Sequence, residues 1–287
     1  MEKDSKGDKK MIYLCAISNI SSGNCSEDCK FCNQSAHYNT NIQTYKQKSI
    51  DEIIIEAKKA KQNKAVGFCL VTSGKGLNDK KLEYVCEVAF SIKKEVNISL
   101  IGCNGTASKE QLQELKKAGI ENYNHNLETS KEFYNNICST HTWEERFQTC
   151  VNVKEVGLNL CVGGILGLGE SKKDRYSMLE SIKELNPMSI PLNFYIPNEN
   201  LPIKSTQITK DEALFWIKEY RKIFNESMIM LAGGRELIFA ENWIEGIKAG
   251  ANSIVIGDYL TTKGEKSNKD LAVLEKHGYE IAKGCNG

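Results

Sequence analysis

Three cysteines fall close together near the start of the chain: Cys25, Cys29 and Cys32 in the string NCSEDCKFCNQS, spaced C-x3-C-x2-C. Thiolates are soft ligands that suit zinc or iron–sulfur clusters. Zinc knuckles pair two C-x2-C hooks, and no second hook occurs in this sequence. An iron–sulfur cluster normally takes four cysteines, so a set of three leaves one iron with an open coordination position for a substrate or cofactor. The spacing and ligand type favour that reading over zinc. The chain carries 11 cysteines, an odd number that argues against a closed disulfide framework. Its opening residues, MEKDSKGDKK, lack the apolar core of a signal peptide, and residues 1–11 are expected to form a flexible leader. A reducing cytoplasm follows as the expected setting, where metal binding or catalysis is the usual use of cysteine.

The elements that must position these thiols can be read from the rest of the chain. With 287 residues, 40% hydrophobic and 26% charged, it has the composition of a globular protein long enough to bury a sizeable core. The formal net charge of +1 gives no sign of a nucleic-acid partner, and no apolar run reaches membrane-spanning length. Strand patterns occur at 13–17, 66–71, 98–101, 122–125, 158–162, 189–194, 227–231 and 253–256. Amphipathic helical patterns lie between them, including SIDEIIIEAKKAKQ with Ser49 as N-cap, SKEQLQELKKAG from Ser108 to Gly119, and TKDEALFWIKEYRKIF opening on Thr209. Eight strands alternating with helices predict a single-domain α/β protein, a (β/α)8 TIM-type barrel over residues 12–287. In such a barrel the active site forms at the C-terminal ends of the strands, and the cysteine triplet falls in the loop after the first one.

The triplet with Phe31 before its last cysteine resembles the signature of the radical S-adenosylmethionine (SAM) superfamily. The longer string CSEDCKFCNQSAHY resembles the biotin synthase family within it, as do YNHNLETS (Tyr123–Ser130), THTWEERF (Thr140–Phe147), CVGGILGLGE (Cys161–Glu170), AGGRE (Ala232–Glu236) and GANSIVIGDYLTT (Gly250–Thr262). The likeness runs from about residue 12 to 280. It implies a 4Fe–4S cluster on Cys25, Cys29 and Cys32 whose open iron chelates SAM and drives its cleavage to a 5′-deoxyadenosyl radical. It further implies that sulfur is inserted into dethiobiotin in the last step of biotin synthesis, by a cytoplasmic homodimer fed by a flavodoxin- or ferredoxin-type electron donor.

The family also holds an auxiliary cluster inside the barrel, in its well-known form a 2Fe–2S cluster on three strand cysteines and one arginine. Cys69 and Cys161 match two of those positions; the alternative for each is a small buried apolar residue. At the third position Ile101 stands where the family has cysteine, with Cys103 two residues later on the same strand face, about 6–7 Å nearer the mouth. At the fourth, Met230 replaces the arginine, and a thioether is a weak neutral ligand. The expectation is an auxiliary cluster, 2Fe–2S or larger, on Cys69, Cys161 and Cys103. Cys15, Cys86, Cys138, Cys150 and Cys285 match no ligand position and are expected to be structural or surface thiols.

By the same resemblance Phe31, Glu128, Arg146, Gly163, Ile165 and Gly167 are expected around SAM, and Asn126 and Asn193 around the ureido ring of the substrate. Glu128 takes the place of a family aspartate, and Arg146 could pair with the SAM carboxylate. Asn124 and His125 are equally well read as local partners of the strand-end backbone. Two rivals use the same first motif: another barrel-type radical SAM enzyme such as a hydrogenase-maturation relative, and a non-enzymatic iron–sulfur or zinc carrier. The carrier leaves GGILGLGE and the barrel pattern unexplained.

Overall fold

The computed structural model describes residues 11–204 and 208–284. Most of the expected leader, and Cys285, lie outside the described residues; Met11 already opens the first strand. The first half of the chain runs β1 (Met11–Ser21), α1 (Ile50–Gln62), β2 (Gly67–Thr72), α2 (Asp79–Glu95), β3 (Ser99–Cys103), α3 (Lys109–Lys117), β4 (Ile120–Asn124) and α4 (Trp143–Glu155). It continues through β5 (Asn159–Cys161), β6 (Gly164–Leu166), α5 (Lys172–Leu185), β7 (Ser189–Phe194), α6 (Lys210–Ile223) and β8 (Met228–Leu231). The last elements are α7 (Arg235–Phe239), α8 (Ile244–Ala249), β9 (Ser253–Val255), α9 (Ser267–Lys276) and β10 (Glu280–Ile281). Strands β1, β2, β3, β4, β5, β7, β8 and β9 pair in parallel in that order, and β9 pairs back to β1. The ring is the expected eight-stranded barrel, with helices between successive strands.

The bounds of β3 and β4 shift by one or two residues from their patterns, and two further strands depart for physical reasons. β1 runs four residues past Ile17 because its polar extension finds partners. Ser18 donates to Glu56 of α1 at 2.5 Å, and Ser21 stays paired to Thr72 across a bulge. The fifth barrel strand is split into β5 and β6, both against β7 in one register, Cys161↔Ser189 and Gly164↔Leu192. Pro191 lies opposite the break and has no N–H to give the ladder, so strand pairing lapses there without a slip.

The barrel wall alternates with a period of two. On β2, Phe68 and Leu70 pack outward into the main core with the helices, while Cys69 and Val71 face an inner cluster with Cys15, Ile101, Met230 and Val255. Helices α1, α3, α4, α5 and α6 each begin on a reciprocal capping box: Ser49 with Glu52, Ser108 with Gln111, Thr142 with Glu145, Ser171 with Asp174, and Thr209 with Glu212. Each box ties down the chain where it leaves the C-terminal mouth of the barrel, the end at which the functional loops gather.

Candidate functional site

The cysteine triplet lies in the loop between β1 and α1, turned off the strand by Asn24 in a left-handed conformation (φ 53°). Local backbone bonds fold it into a compact hook: Cys25 N–H donates to Gln34 O (3.0 Å), Cys32 N–H to Cys29 O (3.0 Å), and Ala36 N–H to Cys25 O (2.7 Å). The hook is docked onto the segment before α4. Asp28 accepts from the backbone N–H groups of Ser139 (2.8 Å) and Thr140 (3.2 Å), and from the Ser139 hydroxyl. Buried Glu27 pairs with His141 Nδ1 at 2.7 Å. All three sulfurs border a cavity of about 430 Å3 at the barrel mouth, with Phe31 beside them.

The interior cysteines border the same cavity. Cys69, Cys103 and Cys161 come from β2, β3 and β5, and all three line it together with Ile101 and Met230. The shifted Cys103 does face inward. Its sulfur acts on that of Cys69, so that the neighbouring thiol and burial push Cys69 up while Cys103 is drawn down. Asn124 Nδ2 also donates to Cys103 Sγ, at 3.3 Å. Met230 packs with Cys69 and Cys15 in the inner cluster, so the wall at that point is apolar rather than cationic.

Polar groups from the ends of β4 and β7 and from α4 line the cavity beside the thiols. Arg146 on α4 donates to Glu128 Oε1 (2.9 Å) and to Asn126 O (2.6 Å), and lies 3.3 Å from His141 Nε2. Burial raises Glu128 above the usual carboxylate range, against the opposing pull of Arg146. Burial also keeps His125 neutral, pushing it well below an ordinary imidazole. Asn126 accepts from Gly163 N–H (3.2 Å), and Asn193 holds Gly164 O (3.2 Å) and Gly233 N–H (3.0 Å). An amide has two donors and two lone pairs, so Asn193 keeps one of each for a ligand.

Ile165 lines the cavity, whereas Gly163 and Gly167 do not. A Cβ at Gly163 would sit 1.9 Å from the Pro191 carbonyl oxygen, so that glycine lets β6 close on β7. Gly167 is left-handed (φ 100°) and donates to Glu170, which is itself paired with Arg175 at 2.6 Å. The glycine run thus shapes the strand end that carries Ile165. A larger cleft of about 680 Å3 lies beside Glu170, Arg175 and Trp216, but no thiol borders it.

Several residues take places that their sequence patterns did not assign to them. Cys15 lines the cavity at the level of Gly67, whose missing side chain leaves room for its sulfur: a Cβ there would lie 3.0 Å from Cys15 Sγ. Asn124 holds Cys103 rather than backbone. Tyr259–Thr262 closes the mouth, with Asn33 of the cluster loop donating to Thr261 (3.2 Å) and Asn19 to Leu260 O (3.1 Å). Arg235, buried and paired with Asp270 at 2.9 Å, ties α7 to α9 and does not line the cavity.

The residues present fit the two clusters and SAM. Seven cysteines of soft donor chemistry border one cavity, the six expected ligands and Cys15, and two buried polar atoms on residues of its wall, Glu128 Oε2 and His125 Nε2, have no partner among the described residues. A barrel with three thiols in the loop after its first strand, and a polar strand-end shelf beside them, defines a radical SAM enzyme. Residues 19–182 match the Radical SAM superfamily, and residues 191–280 match the Biotin and Thiamin Synthesis associated domain. Relatives described as biotin synthase in Nautilia profundicola and Nitratiruptor are each 62% identical over 96% of this chain, covering 100% and 99% of their own lengths. The chain belongs to the biotin synthase family. Among solved structures, the FeFe-hydrogenase maturase HydG from Carboxydothermus hydrogenoformans superposes with a TM-score of 0.84 over 96% of this chain and 69% of its own. Methylornithine synthase gives 0.81 over 95% and 84%. At 18% and 17% identity these two share the fold.

Proposed function

We propose that this chain converts dethiobiotin to biotin by radical sulfur insertion, with a division of labour between its two sets of cysteines. Cys25, Cys29 and Cys32 would hold the 4Fe–4S cluster, and Cys69, Cys103 and Cys161 the auxiliary iron–sulfur cluster. When bound, the first cluster with SAM supplies a 5′-deoxyadenosyl radical, and the second supplies sulfur. The observation that carries this reading is that both thiol sets border one cavity.

The chain's own residues position and shield. Glu128 offers its unpartnered oxygen to a ribose hydroxyl while Arg146 holds the carboxylate in place. Asn126 and Asn193, fixed by backbone bonds, present what remains of their amides to a cyclic urea. Ile165 and Phe31 supply apolar wall, and Tyr259–Thr262 covers the mouth against water. Gly163 and Gly167 act through the strand end that they shape. A flavodoxin- or ferredoxin-type donor, a homodimer and a cytoplasmic setting complete the reading on the family's precedent. Among the described residues no helix is long and apolar enough to cross a membrane.

The test is anaerobic reconstitution with iron and sulfide, followed by SAM, a reductant and dethiobiotin. 5′-Deoxyadenosine together with biotin is the expected result. Deoxyadenosine without biotin would move the chain to another radical SAM activity, and neither product would favour a carrier.

A further inference from the structure

One thiol beside the cluster loop does not border the cavity. Cys138 is buried behind Cys29, and the two sulfurs lie 3.7 Å apart. Its position is fixed from several sides: Sγ lies 3.3 Å from Asp28 Oδ1, 3.6 Å from Thr140 Oγ1 and 3.2 Å from His141 Nδ1, and His141 is braced by Glu27. Cys29 differs in being partly exposed and lining the cavity. A small molecule entering the mouth therefore meets Cys29 first, with a second thiol held directly behind it. A disulfide needs about 2.05 Å between sulfurs, so the pair must close by less than ~2 Å.

We propose that Cys138 is a resolving thiol for Cys29. When Cys29 carries no iron and a peroxide enters the cavity, the pair closes to a reversible disulfide. Cys29–SH and hydrogen peroxide give Cys29–SOH and one water. The Cys138 sulfur then attacks the sulfenic sulfur, its proton leaves with the hydroxyl as a second water, and the S–S bond forms. Overall, two thiols are oxidised by two electrons and one peroxide is reduced to two waters. The disulfide intercepts Cys29 before it reaches the irreversible sulfinic acid, and it withholds the site from metal until a thiol reductant reopens it. The effect on metal loading rests on Cys29 being a cluster ligand; the cross-link itself does not.

The test uses the full chain stripped of iron under anaerobic conditions, treated with a slight excess of hydrogen peroxide, then alkylated and mapped by mass spectrometry. The expected product joins the tryptic peptide Glu132–Arg146, which holds Cys138, to the peptide ending at Lys30, with fragmentation placing the bond on Cys29. Cys29 linked instead to Cys25 or Cys32, or oxidised to sulfinic acid beside a Cys138 that still alkylates, would overturn the proposal. Cys138→Ser supplies a second measurement. Before peroxide it should take up iron like the wild type. After peroxide and dithiothreitol it should regain no more than roughly a third of the iron that the wild type regains, with Cys29 found as sulfinic acid. Equal recovery in the two proteins would also overturn the proposal. The wild-type peptide map decides the matter if the variant fails to fold.

Discussion

The two sets of cysteines that meet in the cavity are built in opposite ways. Cys25, Cys29 and Cys32 sit on one short loop, and their hook is closed by backbone bonds within that loop. Cys69, Cys103 and Cys161 stand on three strands spread over more than ninety residues, and only barrel closure brings them together. The loop set is therefore local in its backbone hydrogen bonds, although the segment before α4 braces it from outside. The strand set exists only as a consequence of register, since β2 must meet β3 with Val71 beside Cys103 for the shifted cysteine to share the wall with Cys69. Their surroundings differ in the same sense. The loop set is braced by charged and hydroxyl groups, Asp28, Ser139, and Glu27 with His141, whereas Cys69 and Cys103 of the strand set pack with Val71, Ile101, Met230 and Val255. An apolar wall suits a group that must be kept from water, and a polar brace suits a loop that must hold its shape at the barrel mouth.

The contrast can be broken first where the expected effects are largest. Cys32→Ala should abolish both products, cutting deoxyadenosine formation by at least about a hundredfold, because a ligand is lost outright. Iron held by the interior set should persist in that variant, and iron and sulfide analysis after reconstitution checks it; loss of all iron would mean that the two sets are not independent. Cys69→Ala should do the reverse. Deoxyadenosine still forms, biotin falls below detection, and the iron content drops by the auxiliary share alone. If Cys69→Ala also abolished deoxyadenosine, the division of labour would fail.

The same contrast explains what could be read before the fold was in hand. The loop triplet, the eight strands and the caps at Ser49, Ser108 and Thr209 are local patterns, legible because spacing and periodicity act over a few residues. The inward direction of Cys103 followed from the two-residue repeat of a strand. What escaped was non-local. Cys15 looked like any strand cysteine until β1 was registered against β2, opposite Gly67. Cys138 is 109 residues from Cys29, and nothing in its neighbourhood announces the contact. The polar end of β1 carried no strand pattern because its stability comes from Glu56 on the next helix. GGILGLGE was legible as a site motif, but two of its glycines serve backbone packing and turn geometry, a distinction that spacing cannot make.

Smaller effects sharpen the comparison along the polar shelf and at the edge of the strand set. Glu128→Gln should raise the KM for SAM about tenfold with kcat less affected, since a charge-assisted contact is exchanged for a neutral one. It also strips a buried arginine of its counter-charge, so thermal unfolding should show a loss of about 3 kcal/mol. An unchanged KM with a lowered melting temperature would make Glu128 a purely structural partner of Arg146. Cys15→Ser, made in a Cys25/Cys29/Cys32→Ala background, asks whether Cys15 supplies the donor that Met230 does not. A fall in residual iron would add Cys15 to the strand set, and no change would leave it as a wall residue.

The smallest expected effect is at Asn124. Its amide donates to Cys103 Sγ at 3.3 Å, while Cys103 is the thiol that is displaced towards the mouth. A hydrogen bond to a ligating sulfur draws charge from the metal centre and raises its potential. Asn124→Ala should therefore leave iron content unchanged and lower the midpoint potential of the interior cluster, by on the order of tens of millivolts. Spectroscopically monitored redox titration of the triple-alanine background reads this without interference from the loop cluster. A constant potential would mean that Asn124 only fills space beside Cys103. A shift would show that the displaced cysteine, and not just the pair at Cys69 and Cys161, bonds the iron, because only a ligating sulfur passes that hydrogen bond on to the metal.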